Sequence, residues 1–206
     1  MMVIGLTGGI ATGKSTVSQI LAELGGVILD ADKAGHEALK RGGEVWREVV
    51  ASFGETVLGS EGEIDRRKLG ELVFNDPQAR ERLNAIVHPR LKARLKEEMA
   101  ALKREGARVI VLEAALLVEA GWTGMVDEVW VTEASQDTVL RRLKERNNFT
   151  AEQALARVQS QLSREERRRW AQVSIDTDCS LARVREQVME QWRRLEGLGE
   201  KAFLPA

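Results

Sequence analysis

Apolar residues recur along this chain in two alternating rhythms. Short apolar-rich runs fall at Val3-Ile4-Gly5-Leu6, Val27-Ile28-Leu29, Arg108 to Leu112, Val126 to Val131 and Val173-Ser174-Ile175-Asp176. Runs of that length, rich in Val and Ile, predict buried strands of a parallel sheet. Between them the apolar positions take helical spacing. Val17, Ile20, Leu21 and Leu24 predict a helix right after the first run, and Leu181 to Leu195 a closing one. The tail from Gly197 is expected to be poorly ordered. Strand and helix alternating in this way predict a parallel sheet with helices on both faces.

From 41 to 108 the alternation stops, over a length too great for a plain crossover. Arg41-Gly42-Gly43 and Gly59 to Gly62 are breaks. Between them Val45, Trp46, Val49, Val50 and Phe53 mark an amphipathic helix. Asp65 opens the next, with Leu69, Leu72, Val73 and Phe74 expected on its buried side. Asp76-Pro77 is a helix start. His88-Pro89 predicts a break, because the residue before proline is pushed away from the helical region. Leu91, Leu95, Met99 and Leu102 then predict a long helix. The region reads as a helical insertion that shapes the pocket for a second substrate. Further on, Thr132 to Asn147 predicts a helix carrying Arg141, Arg142, Lys144 and Arg146. Thr150 to Gln153 and Ser163 to Glu166 both fit the capping box, and Arg164, Arg167, Arg168 and Arg169 follow the second.

Composition narrows the class. With 206 residues, one compact core plus an insertion is favoured over two independent domains. A net charge of −1, from 31 basic and 32 acidic residues, gives no overall field towards nucleic acid or membrane. Cys179 stands alone, so no internal disulfide can form. No apolar run approaches the roughly 18 residues of a membrane span. The first strand starts so early that no leader is expected, and a cytoplasmic location follows.

Gly8-Gly9-Ile10-Ala11-Thr12-Gly13-Lys14-Ser15 reads G-x-x-x-x-G-K-[ST], the phosphate-binding P-loop, placed between a predicted strand and a predicted helix. Gly8 and Gly13 let the backbone turn and approach phosphate oxygens, and the helix N-terminus favours the anion. Ala11, Thr12, Gly13, Lys14, Ser15 and Thr16 are therefore expected to hold a nucleoside triphosphate. Lys14 is expected to reach the outer phosphates, and Ser15 to be a Mg²⁺ ligand. Glu113, the acid ending the strand from Arg108, stands where such proteins hold Mg²⁺; it could also be no more than an acidic strand end. Asp30 and Asp32 follow the second strand. In an extended chain residues two apart share a face, so both carboxylates could line one site. The alternative is that one of them caps the next helix. The arginines after 141 are either solvated helix faces or a mobile lid over the phosphates.

A P-loop alone does not name a reaction. No N-K-x-D guanine-reading motif is present, which disfavours a GTPase. Nearly end to end, however, the chain resembles the dephospho-CoA kinase family. Ile4 to Ile10 leads into the P-loop, Leu29-Asp30-Ala31-Asp32 follows, then Ile64-Asp65-Arg66 and Val73-Phe74. Leu83-Asn84-x-Ile86-x-His88-Pro89 is the most distinctive stretch, with Leu116-Leu117-x-Glu119 and Gln161 after it. The resemblance implies an α/β P-loop fold of three layers, with about five parallel strands. It implies one domain over 1–206, with an insertion for the acceptor at about 33–107 and a helical lid at about 136–170. It also implies ATP and Mg²⁺ as cofactors and transfer to the ribose 3′-hydroxyl of dephospho-CoA. Asp32 would accept or orient that proton. Arg142 and Arg146 would clamp ATP, while Thr7, Arg66, His88 and Glu113 would face the acceptor. His88 could equally be structural, capping a helix from Pro89. The implied partner is the small-molecule substrate, without nucleic acid or membrane, in a monomer or weak homo-oligomer. Two readings compete: another P-loop nucleoside or nucleotide kinase, and a nucleotide-binding regulator without catalysis. Glu113-Ala114-Ala115 departs from the family's usual Asp-x-Pro, and Val139, Gln172 and Thr177 replace a usual glutamine, aspartate and asparagine.

Overall fold

The computed structural model describes residues 1–147 and 149–201, so the expectation for the tail beyond Lys201 lies outside the described residues. Five strands form one sheet: β1 (Met2–Gly8), β2 (Val27–Asp30), β3 (Val109–Glu113), β4 (Glu128–Glu133) and β5 (Val173–Asp176). Their order is β2-β3-β1-β4-β5. β1 pairs in parallel with β3 (Ile4 opposite Val111) and with β4 (Leu6 opposite Trp130), and β4 with β5 (Thr132 opposite Ile175). This is the parallel α/β sheet with helices on both sides that the alternation predicts. The chain leaves β1 towards one edge and β4 towards the other. Between such neighbours the loops part beyond the strand ends and leave a crevice.

The helices are α1 (Lys14–Glu23), α2 (Ala31–Ala38), α3 (Glu44–Phe53), α4 (Arg66–Asn75), α5 (Pro77–Arg104), α6 (Gln136–Asn147), α7 (Ala151–Gln159), α8 (Arg164–Arg168) and α9 (Leu181–Lys201). They divide with the rest of the chain into two compact units, Met1–Leu29 with Ala101 onward, and Asp30–Ala100.

In the sheet unit, Ile4 and Leu6 of β1, Trp130 of β4 and Ile175 of β5 pack with Val17 and Leu21 of α1 and Val188 and Trp192 of α9. Each such side chain contributes about 1.5–3 kcal/mol by leaving water. A second cluster joins Val139 and Leu143 of α6 to Ala154 of α7, with Ile10 and Ala11 of the P-loop packed against it. Val139 thus has an apolar task here. Both capping boxes form, at Thr150 and at Ser163. Two boundaries differ from expectation. Thr132 and Glu133 belong to β4, where they pair with β5, and the helix begins only at Gln136. α9 continues through Gly197 to Lys201; a helical glycine costs only about 1 kcal/mol against alanine, too little to end a long helix alone.

In the helical unit, Val45 and Val49 of α3 pack with Val57, Ile64 and Leu69, and Trp46, Leu72 and Val73 close over them. Leu69, Leu72 and Val73 share a face by their spacing. Phe74 lies a further 100° round and is 50% exposed, contrary to its expected burial. The break expected at His88-Pro89 is also absent, because α5 runs unbroken through Pro89. Proline lacks the N–H that would serve the carbonyl four residues back and crowds the turn behind it. Just after it, Arg90 ties α5 to α3: Nη1 donates to Ile86 O at 3.0 Å while Nη2 pairs with Glu44 and Glu48. His88 therefore lies within a helix and caps none.

Candidate active site

β1 ends at Gly8, and the chain turns through the P-loop into α1. A Cβ on Gly8 would stand 2.0 Å from Thr132 Oγ1 and 2.6 Å from Thr12 Oγ1, so only glycine lets the ends of β1 and β4 close up. Gly13 takes the left-handed conformation (φ 83°), and so does Ala11 (φ 59°). For a residue with a Cβ this costs roughly 1–2 kcal/mol. The surroundings hold it there. Thr12 Oγ1 donates to Gly9 O at 2.7 Å and meets Thr132 Oγ1 at 2.8 Å. Thr177 Oγ1 donates to Thr12 O at 2.8 Å, and Arg142 Nη1 to Ala11 O at 3.1 Å. Arg142 also grips Thr177 through Oγ1 and the carbonyl. Ile10 N–H is taken by Gln161 Oε1 at 2.8 Å. The carbonyls of Gly9, Ala11 and Thr12 are thus each engaged by protein donors, away from any anion the loop receives.

Lys14 Nζ donates to Glu113 Oε1 at 2.7 Å, and both side chains are largely buried. β1 and β3 lie side by side in register, which carries Glu113 to the strand end beside the loop. The turn after β3 survives without the family's proline: Ala114 N–H donates to Leu6 O, Thr7 Oγ1 to Ala115 O, and Leu117 is fully buried. A cavity of about 710 Å³ opens over the loop. Gly8, Ala11, Thr12, Gly13, Lys14, Ser15, Thr16, Arg142 and Arg146 all line it, so these site candidates are brought together. Glu113 joins them through Lys14, and Thr7 is fully buried beneath.

The remaining candidates, Asp32, Arg66 and His88, lie in the helical unit. The shared face expected for Asp30 and Asp32 does not form, because α2 begins at Ala31 and the segment between them is not extended. Asp30 is the N-cap, its carboxylate accepting from Lys33 N at 2.8 Å, and Asp32 stands exposed in the first turn. Arg66 Nη2 lies 3.0 Å from His36 Nε2. His88 is half-buried, and loss of water lowers its pKa below the ordinary imidazole value, which favours the neutral ring.

Sequence reasoning did not anticipate part of the loop's support. Thr132 and Thr177 reach it from β4 and from just beyond β5, over 100 residues away in the chain, with no local motif to flag them. Asp178 binds the start of α6, accepting from Ser135 N at 3.1 Å and Thr138 Oγ1 at 2.6 Å. Hydrogen bonds from Ser135 and Thr138 lower its pKa to about 2. Glu133, buried at the end of β4, receives Arg164 at 2.9 Å and Arg168 at 3.8 Å, which fastens α8 to the sheet.

A family profile described as Dephospho-CoA kinase matches residues 2–183. The Dephospho-CoA kinase of Geobacillus kaustophilus is 44% identical, over 95% of this chain and 98% of its own. A solved structure from Thermus thermophilus superposes with a TM-score of 0.81 at 34% identity, covering 94% of this chain and 96% of that one. A Dephospho-CoA kinase from Campylobacter jejuni gives 0.67 at 31% identity with the same coverage. The P-loop, its acidic strand end and the five-stranded sheet thus agree with what the whole length is similar to: the chain belongs to the dephospho-CoA kinase family, enzymes that use ATP to phosphorylate dephospho-CoA to coenzyme A.

Proposed function

We propose that the γ-phosphoryl group of ATP passes to the ribose 3′-hydroxyl of dephospho-CoA, with the triphosphate seated on the P-loop and the acceptor taken up by the helical unit. The observation that carries this reading is the Lys14–Glu113 contact beside the loop, a cation and a carboxylate at 2.7 Å where α1 begins. On arrival of ATP, Lys14 turns its charge to the outer phosphates. Ser15 and Glu113 are the residues that would hold Mg²⁺. One hydroxyl and one carboxylate suit that ion, which commonly takes its other oxygens from phosphates and water. When bound it neutralises charge on the phosphates.

Asp32 receives or orients the proton of the attacking hydroxyl. Phosphoryl transfer depends mainly on positioning and charge, so orientation is its larger contribution. Arg146, exposed on α6 at the cavity wall, closes over the phosphates. Arg142 serves the same lid, about 136–170, from the P-loop side, through the backbone it holds. Arg66, His88 and Glu113 face the acceptor, whereas Thr7, fully buried, supports the turn after β3 instead of facing it. The domain is a single one, with about 33–107 as the acceptor insertion. No helix among the described residues is long and apolar enough to cross a membrane; we place the enzyme in the cytoplasm, as a monomer or weak homo-oligomer that binds no nucleic acid.

The test is ³¹P NMR of the product formed from ATP and dephospho-CoA, with Mg²⁺ or with EDTA. A new monoester coupled to the ribose 3′ proton, formed only with Mg²⁺, supports the proposal. A monoester at another position, or equal turnover in EDTA, contradicts it.

A further inference from the structure

Arg167 of α8 is 4% exposed, a rare degree of burial for a guanidinium. Its environment is unfinished. Nη2 reaches Glu119 Oε1 only at 3.6 Å, too long for a hydrogen bond, and neither Nε nor Nη2 has a hydrogen-bond partner. The group is also aimed at the P-loop. Nη1 stands 3.4 Å from the place a Cβ on Gly9 would occupy, with Gln161 Oε1 at 3.6 Å from the same point. A side chain at position 9 would press on the guanidinium; glycine leaves it room.

Its support is rigid where Arg167 itself is not committed. Arg164 and Arg168, on the same short helix, pair with buried Glu133 at the end of β4. The Ser163–Glu166 capping box fixes the first turn of α8. Gln161, just ahead of it, holds the P-loop at Ile10 N–H. A buried guanidinium with open donors is unfavourable until an acceptor arrives that can satisfy several of them at once. A phosphate group does this, since its oxygens match the planar fork of the guanidinium.

We infer that Arg167 is a phosphate-contact residue of the nucleotide site, donating to the oxygens of the terminal phosphate beside Gly9, while Glu119 orients the guanidinium and balances its charge before the nucleotide binds. The inference rests on the P-loop reading above. No bond is made or broken at Arg167; its contribution is charge at the phosphate being transferred, where it adds to that of Lys14.

The experiment is calorimetric titration of the wild type and the Arg167→Met variant with ADP and with a non-hydrolysable ATP analogue. Loss of a charged hydrogen bond to the terminal phosphate should weaken the analogue about tenfold or more, and ADP by less than about twofold. Arg167→Lys should recover part of the preference. Equal weakening of both nucleotides, or no weakening of either, would mean that Arg167 is only a buttress of α8 and would overturn the inference. Failure of the wild type to bind either nucleotide would instead remove the P-loop reading. Should neutral variants not fold, the wild type crystallised with the analogue decides. A guanidinium nitrogen within about 3.2 Å of a terminal phosphate oxygen supports the assignment, and any longer distance overturns it.

Discussion

The sheet unit and the helical unit are held together by different means. In the sheet unit, residues far apart in sequence meet at one loop: Gln161, Arg142 and Thr177 hold the backbone of residues 10–12, and Thr132 meets the Thr12 hydroxyl. That loop is strained at Ala11 and kept so by tertiary hydrogen bonds. The helical unit depends on nearer neighbours. Asp30 and Asp65 cap their own helices, an apolar stripe joins α3 to α4, and Arg94 pairs with Glu37 and Glu98 at its surface. Phosphates are alike in every nucleotide and reward a fixed cradle. If the helical unit takes up the acceptor as proposed, the acceptor's individual shape is read by side chains that local helices can vary.

The contrast can be broken first at Lys14. Lys14→Ala should lower kcat by about 10³-fold or more, because it removes the charge proposed to meet the outer phosphates. Wild-type turnover in that variant would contradict the whole account of the loop. Next comes Thr177→Val, which leaves Thr12 O and one Arg142 donor without their partner. A loss of about 1–2 kcal/mol in stability is expected, with ATP affinity reduced several-fold and the KM for dephospho-CoA unchanged. An equal effect on both substrates would show that the two sites are not separately supported.

In the helical unit, Pro89→Ala restores an N–H to α5 and removes a crowding ring. It should raise stability by about 1 kcal/mol in thermal unfolding without altering kcat. Destabilisation would mean that the proline's rigidity outweighs its missing hydrogen bond. The smallest effect is expected at Asp178, whose pKa is lowered from 3.8 to about 2 by its hydrogen bonds with Ser135 and Thr138. A carboxylate whose pKa falls on folding stabilises above its unfolded pKa and ceases to do so as pH drops through the folded value. The Tm difference between wild type and Asp178→Asn should therefore be constant above about pH 5, shrink below 3.8 and close near pH 2. A difference that does not change with pH would assign Asp178 a role without charge.

What was legible in the sequence follows the same division. The strands, the glycine-rich loop and both capping boxes are written in local spacing; the boxes formed as read and the strands within about two residues of where they were read. His88-Pro89 misled because the rule for proline concerns a bare backbone, whereas Arg90, next along, anchors this part of α5 to Glu44 and Glu48 of α3. Of the two readings open for Asp30 and Asp32, the cap holds for Asp30, and the period-two argument fails because the helix starts between them. The hydroxyls of Thr132 and Thr177 left no local trace, since their task depends on the register of β4 and β5 alone. Arg167 was visible only as one arginine among several, and burial singles it out.

The measurement that tests the central claim most directly is the kinetics of Asp32→Asn, with kcat for dephospho-CoA and the equilibrium affinity for ATP determined on the same preparation. If the helical unit supplies the group that receives or orients the acceptor's proton, kcat should fall by about 10²–10⁴-fold while ATP affinity stays within about twofold. Unchanged kcat, or a parallel loss of kcat and ATP affinity, would contradict it and return Asp32 to the role of a helix-end carboxylate.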